Sequence, residues 1–214
     1  MKFTAAIFDL DGTLLNTLAD LTDAVNYALT QRKYPVRTME EVRSFIGNGV
    51  EMLMRRAVPK ETGEQEMLAA LSVFRAYYRT HTRVKTKPYD GIMETVTLLK
   101  QRDIPMAVVS NKSHRETEAL IREIFGGIFQ KALGSLTDIP KKPAPNGVLR
   151  VLKEMDLSPK DTVYIGDSEV DVETAHNAGL LCLGVSWGYR GREALAAARA
   201  DAIVDTPQGL LNYF

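Results

Sequence analysis

Short apolar runs separated by longer amphipathic stretches set the rhythm of the chain. AAIF (5–8), MAVV (106–109), TVYI (162–165) and LLCLGV (180–185) are punctuated by Gly, Asn, Asp or Pro, and each is too short for a typical helix. Such runs predict strands buried on both faces of a parallel sheet. KALG (131–134) and AIV (202–204) are a fifth and a sixth candidate. Between the runs, apolar positions fall at helical spacing: Ile92, Val96 and Leu99 share a face, and Val148, Leu149, Val151, Leu152 and Met155 mark another helix. Ser113 with Glu116 has the form of a capping box ahead of TEALIREIF. Strands alternating with helices predict a doubly wound α/β sheet over residues 85–214, with one more strand from residues 1–15.

Residues 16–84 break this rhythm. They hold no strand pattern, LADLTDAVNYALTQR is amphipathic, Thr38 and Glu41 form a second capping box, and Met67, Leu71, Phe74 and Tyr78 recur at helical spacing. The expectation is an α-helical cap domain, residues 16–84, inserted into a core made of 1–15 and 85–214. The pattern leaves one alternative open, that these helices merely cover a face of the sheet.

Composition narrows the classes. Among 214 residues, 45% are hydrophobic and 25% charged, as in an ordinary globular protein. Lys plus Arg and Asp plus Glu both count 27, so no net field argues for nucleic acid or an acidic membrane surface, and any phosphate chemistry must use local charge. No window approaches the ~18 uninterrupted apolar residues of a membrane span, and carboxylates by position 9 do not suit a signal peptide. The single cysteine, Cys182, lies in an apolar run, which predicts a buried structural thiol and suits a reducing cytoplasm.

In an open parallel sheet, ligands bind beyond the carboxyl ends of the strands. AAIF is followed by Asp9, MAVV by Ser110 and Asn111, and TVYI by Gly166 and Asp167, so these groups are expected on one rim. Asp9 and Asp11, two apart in an extended segment, point the same way, and Gly12 lets the backbone turn sharply beside a ligand. Two carboxylates so close need a proton or a cation, and a third, Asp167, makes Mg²⁺ the natural solution. Singly, each residue has a plain reading: Asp-Gly is a common turn, Asp171 stands where it would cap a helix, and Lys141 with Lys142 resembles a solvated pair. Their joint placement is what points to a site.

DLDGT (9–13), SN (110–111), KPAP (142–145) and GDSEVD (166–171) resemble, in order, the four motifs of the haloacid dehalogenase-like hydrolases, and the chain as a whole is similar to their phosphoglycolate phosphatase-like branch. The resemblance implies that Asp9 is a nucleophile forming an aspartyl-phosphate, while Asp11 protonates the leaving oxygen and then deprotonates water. It implies Mg²⁺ held by the Asp9 side chain, the Asp11 backbone carbonyl and Asp167, with Asp171 supporting from outside. Ser110, Asn111 and backbone amides would hold the phosphoryl oxygens, and Lys142 would neutralise both phosphate and Asp9. Hinges are expected near residues 14–17 and 82–88, with Asn16 where the family commonly has Asp. In the cap, FIGNGVEML resembles the substrate-facing loop, making Asn48 a candidate binding residue; the alternative is a plain helix-to-helix turn.

The implied partner is a small phosphorylated metabolite, phosphoglycolate first, with neither nucleic acid nor membrane; the sequence does not define an oligomeric state. Pyrophosphate or a sugar phosphate remains open, and further off stand a metal-independent dehalogenase and a phospho-aspartate signalling module. His81, His114 and His176 are not needed, and Trp187, Tyr189 and Arg190 in SWGYRG are read as ordinary packing and loop structure, with a place bordering the site as the alternative.

Overall fold

The computed structural model describes residues 2–214. Its strands are β1 (Ala5–Phe8), β2 (Leu15–Asn16), β3 (Lys87–Pro88), β4 (Met106–Ser113), β5 (Lys131–Ser135), β6 (Thr162–Gly166), β7 (Leu181–Val185) and β8 (Ala202–Val204). The helices are α1 (Leu18–Gln31), α2 (Met39–Phe45), α3 (Val50–Ala57), α4 (Glu64–Tyr78), α5 (Ile92–Gln101), α6 (His114–Phe125), α7 (Asn146–Glu154), α8 (Glu169–Asn177) and α9 (Gly191–Ala197), and a 3₁₀ helix, Pro207–Tyr213, follows. By internal contacts the chain divides into one unit of the described residues through Leu15 together with Pro88–Phe214, and another of Asn16–Lys87.

In the first unit the sheet order is β5-β4-β1-β6-β7-β8, all parallel. The chain builds outward from β1 to β4 and β5 on one side, then returns to lay β6, β7 and β8 on the other. That reversal opens a crevice at the carboxyl ends of β1, β4 and β6. Alternation with period two divides the apolar side chains between the faces. Ala6, Phe8, Val108, Val163 and Ile165 pack with Ile92, Val96, Leu99, Leu120 and Phe125, whereas Ile7, Ala107, Val109 and Tyr164 pack with Val148, Val151, Leu152, Val172 and Cys182. Burying each large apolar side chain contributes roughly 1.5–3 kcal/mol before the entropy of ordering it is set against that.

Three local features differ from the sequence expectation. β4 does not stop at Val109 but runs to Ser113, with a register shift against β5 between Val109 and Ser113. At the start of α6, the Glu116 N–H donates to Ser113 Oγ at 3.4 Å, but the reciprocal half of the expected capping box is not formed; Ser113 is still paired with Ser135 in the sheet. Leu149 belongs to α7 yet is 45% exposed, because Val148, Val151 and Leu152 already fill its buried stripe.

The second unit is helical and has its own core, with Leu21, Val25, Leu29, Met54, Met67, Leu71, Phe74 and Tyr78 among its buried residues. The capping box of Thr38 and Glu41 starts α2 with both halves formed. Buried Asp20 accepts backbone N–H bonds from Val84, Lys85 and Thr86 at 2.8–3.0 Å, which ties the outgoing segment to α1. Donors to a carboxylate make stronger bonds than neutral pairs do, so the segment after α4 is anchored despite lacking a helix or a long strand. No helix among the described residues is long and apolar enough to cross a membrane.

Candidate active site

Three strand ends build the site. The Asp9 N–H donates to Ile165 O at 2.8 Å, which extends the β1–β6 ladder one residue past Phe8 and fixes Asp9 beside the end of β6. Gly12 has φ +91, a left-handed conformation, and a Cβ there would stand 2.5 Å from both carboxylate oxygens of Asp167. Gly188 closes the other side, where a Cβ would lie 2.5 Å from Gly12 O and overlap Asp167. Asp167 is gripped in this narrow slot: Thr13 Oγ1 donates to Oδ1 at 3.2 Å and the Tyr189 N–H to Oδ2 at 2.7 Å.

Carboxylate oxygens of Asp9, Asp167 and Asp171 all lie within 4.8 Å of one another, and all three residues are buried. Burial pushes the Asp9 carboxyl up to about 7, with Lys142 pulling down and Asp171 and Asp11 adding repulsion. Burial and the charges of Asp171 and Asp9 push Asp167 well above the usual carboxylate range. Lys142 lies within this cluster, its Nζ 2.7 Å from Asp171 Oδ1, 2.8 Å from Asp9 Oδ1 and 3.0 Å from Tyr164 Oη. Desolvation alone would lower its pKa, but Asp171 and Asp9 outweigh it and hold the ammonium charged.

The partners are not equivalent. Asp171 is saturated, since its Oδ2 also accepts from the Ser168 N–H at 3.1 Å and Ser168 Oγ at 2.7 Å, completing the capping box of α8. It supports Lys142 and the helix start rather than offering a free ligand. Asp9 Oδ1, by contrast, is buried and accepts no hydrogen bond of good geometry, Lys142 standing close but off the bonding direction. A buried oxygen in that condition, in an acidic cluster whose Asp167 sits in a slot that only glycines permit, fits a small hard divalent cation.

The structure brings Asp9, Asp11, Ser110, Asn111, Lys142 and Asp167 to one rim of the first unit. Asp11 is set apart from the acidic cluster: its carboxylate pairs instead with Lys112, whose Nζ is 3.1 Å from Oδ1 and 3.3 Å from Oδ2. Ser110 Oγ accepts the Lys112 N–H at 3.3 Å. Asn111 makes a two-point clasp on the Lys142 main chain, accepting its N–H at 2.9 Å and donating to its carbonyl at 3.0 Å. Its side chain thus clasps the main chain of Lys142. Asn48 lies in the other unit, between α2 and α3, where Arg56 Nη2 donates to its Oδ1 at 2.9 Å and Arg56 Nη1 to Phe45 O at 2.7 Å.

Several participants were not singled out from the sequence. Lys112 reads as one more lysine beside SN, and Tyr164 as a core strand residue; yet its hydroxyl accepts from Lys142 and donates to Val109 O at 3.1 Å. The segment SWGYRG takes the alternative place left open for it, since Gly188 and Tyr189 border Asp167 and Trp187 Nε1 donates to Thr13 O at 3.1 Å. The available signal was positional: SWGY follows β7, next to the strand that ends in Asp167.

Fold and site together define a Rossmann-like α/β protein with an acidic, lysine-bridged centre at the switch point of its sheet. Residues 6–185 match the haloacid dehalogenase-like hydrolase family, and the chain belongs to that family. It is 35% identical over 212 residues to phosphoglycolate phosphatase 1 of Pseudomonas aeruginosa, covering 96% of this chain and 77% of that protein. It is 32% identical to phosphoglycolate phosphatase of Haemophilus influenzae, covering 99% and 98% respectively. A crystal structure from Lactobacillus delbrueckii subsp. bulgaricus superposes with a TM-score of 0.93 at 37% identity, covering 98% of this chain and 97% of that one. A structure from Haemophilus somnus, described as a predicted phosphoglycolate phosphatase, gives 0.92 at 30% identity, covering 99% and 98%.

Proposed function

We propose that the protein is a Mg²⁺-dependent phosphatase that hydrolyses a small phosphate monoester, with phosphoglycolate the first candidate. The carrying observation is Asp9: a buried carboxylate at a strand end, 2.8 Å from the Lys142 ammonium and within 4.8 Å of Asp167 and Asp171. The relatives named phosphoglycolate phosphatase support the substrate class.

In the proposed reaction an Asp9 oxygen attacks phosphorus as the ester oxygen departs, and Asp11 delivers a proton to that oxygen. Asp11, now a carboxylate, takes a proton from water as the water attacks the aspartyl-phosphate, which regenerates Asp9. Lys142 neutralises the nucleophile and the phosphoryl group, which would otherwise repel each other. Ser110 and main-chain N–H groups at the end of β4 hold phosphoryl oxygens, while Asn111 keeps Lys142 in place. Mg²⁺ would be held by the carboxylates of Asp9 and Asp167 and the carbonyl of Asp11, and when bound it supplies further charge neutralisation at the phosphoryl oxygens. Residues 16–84 act in this reading as a cap that excludes bulk water, with Asn48 in its substrate-facing loop. The proposed setting is the cytoplasm, which a lone buried Cys182 suits.

The test is phosphate release from phosphoglycolate and a panel of small esters, with and without chelator. The expected result is turnover that needs a divalent cation and falls by on the order of 10⁴-fold or more in Asp9→Asn. Turnover surviving both chelation and that substitution would overturn the reading.

A further inference from the structure

Lys112 follows Ser110 and Asn111 on β4 and has no part in the chemistry set out so far. Lysine is seldom fully buried without a partner, and the Lys112 side chain is only 1% exposed, against 15% for the Asp11 side chain it meets. Its Nζ lies 3.1 Å from one Asp11 oxygen and 3.3 Å from the other, so a single ammonium engages both. The terminal torsion of an aspartate is broad and nearly two-fold; a grip on both oxygens narrows it. Each residue also stands on constrained backbone. Asp11 bridges to Leu15 just before the left-handed Gly12, and Lys112 falls within the register shift of β4.

The two buried lysines therefore divide the carboxylates between them. Lys142 serves Asp9 and Asp171, whereas Lys112 serves Asp11. Proton transfer needs the carboxyl group within hydrogen-bond reach of the leaving oxygen and later of water, and a displacement of about 1 Å costs as much as 10²-fold in rate.

We propose that Lys112 is a positioning residue for Asp11, holding its carboxyl group in the orientation from which it exchanges protons with the leaving oxygen and with water. The inference rests on the phosphatase reading for the identity of those proton transfers, but the contact itself does not depend on it.

The test compares wild type with Lys112→Met, which keeps an unbranched apolar stem without the charge, and with Lys112→Arg, which restores charge and donors. Lys112→Gln replaces the Met variant if that one does not fold. Crystal structures of wild type and the uncharged variant are expected to show the Asp11 side chain moved or spread over several rotamers. With phosphoglycolate, kcat should fall about 10²-fold and KM stay within about threefold, with Lys112→Arg recovering at least a tenth of the wild-type rate. With p-nitrophenyl phosphate, whose leaving group needs no proton, the first-turnover burst should persist while the steady state, limited by water activation, falls.

An Asp11 carboxyl that keeps its single rotamer in the uncharged variant would overturn the proposal. So would a rise in KM at constant kcat, or burst and steady state falling together. If the wild-type protein hydrolyses none of the esters, the phosphatase reading has failed, and the rotamer comparison still decides for or against Lys112.

Discussion

In the proposed reaction Asp9 carries opposing demands: it must be buried to face a phosphoryl group, yet burial penalises the charge with which it would attack. The raised value of about 7, set by desolvation, describes the protein without a cation. A carboxyl raised in this way binds its proton more tightly folded than unfolded. Its ionisation therefore works against folding as pH rises from about 4, the unfolded value, to about 7. In the proposed function a divalent cation would take the place of that proton, so binding is expected to release more protons at pH 6 than at pH 8, and affinity to climb with pH through about 7. Calorimetry in buffers of differing ionisation enthalpy measures the release directly, and Asp9→Asn should shrink the difference between the two pH values, the remainder coming from Asp167, whose carboxyl is also held well above the usual range. A release independent of pH would contradict the assigned charge state of Asp9.

At the scale of elements, the continuation of β4 through Ser113 organises the site, because Ser110, Asn111 and Lys112 each engage a different partner from one irregular strand end. Asn111 bonds the segment carrying Lys142 through both its N–H and its C=O. Asn111→Ala should loosen that segment and lower kcat by about 10- to 10²-fold with little change in thermal stability; unchanged kcat would show that Lys142 is held without it. The strand ends themselves were legible from sequence, since each apolar run abuts its chemical group: AAIF Asp9, MAVV Ser110, TVYI Gly166 and Asp167. The pairings were not. Lys112 reaches a residue 101 positions away, Asn111 one 31 positions away, and Tyr189 one 22 positions away, so only the sheet order brings them together. Residue type gave no signal for Lys112, whose burial comes from its place on β4.

At the scale of the whole molecule, one chain builds two separately packed cores, with crossings between Leu15 and Asn16 and between Lys87 and Pro88. In the sequence, short apolar runs give way to helical spacing over residues 16–84. The anchoring of Val84, Lys85 and Thr86 by Asp20 was not visible, because one carboxylate accepting three backbone donors leaves no periodic trace. Phe74, 1% exposed in the core of the helical unit, should cost about 3–5 kcal/mol on truncation to Ala, measured as a lower denaturation midpoint; a loss under about 1 kcal/mol would mean that this core relaxes around the cavity.

What joins these scales in the proposed function is a covalent step at a single carboxylate. Rapid acid quench of the enzyme during turnover of phosphoglycolate with Mg²⁺, followed by mass spectrometry, tests that step directly. The expected result is a phosphoryl group on the peptide carrying Asp9, formed and lost at rates compatible with turnover and absent from Asp9→Asn. Turnover at full rate with no such adduct, or with the phosphoryl group on another side chain, would contradict the account.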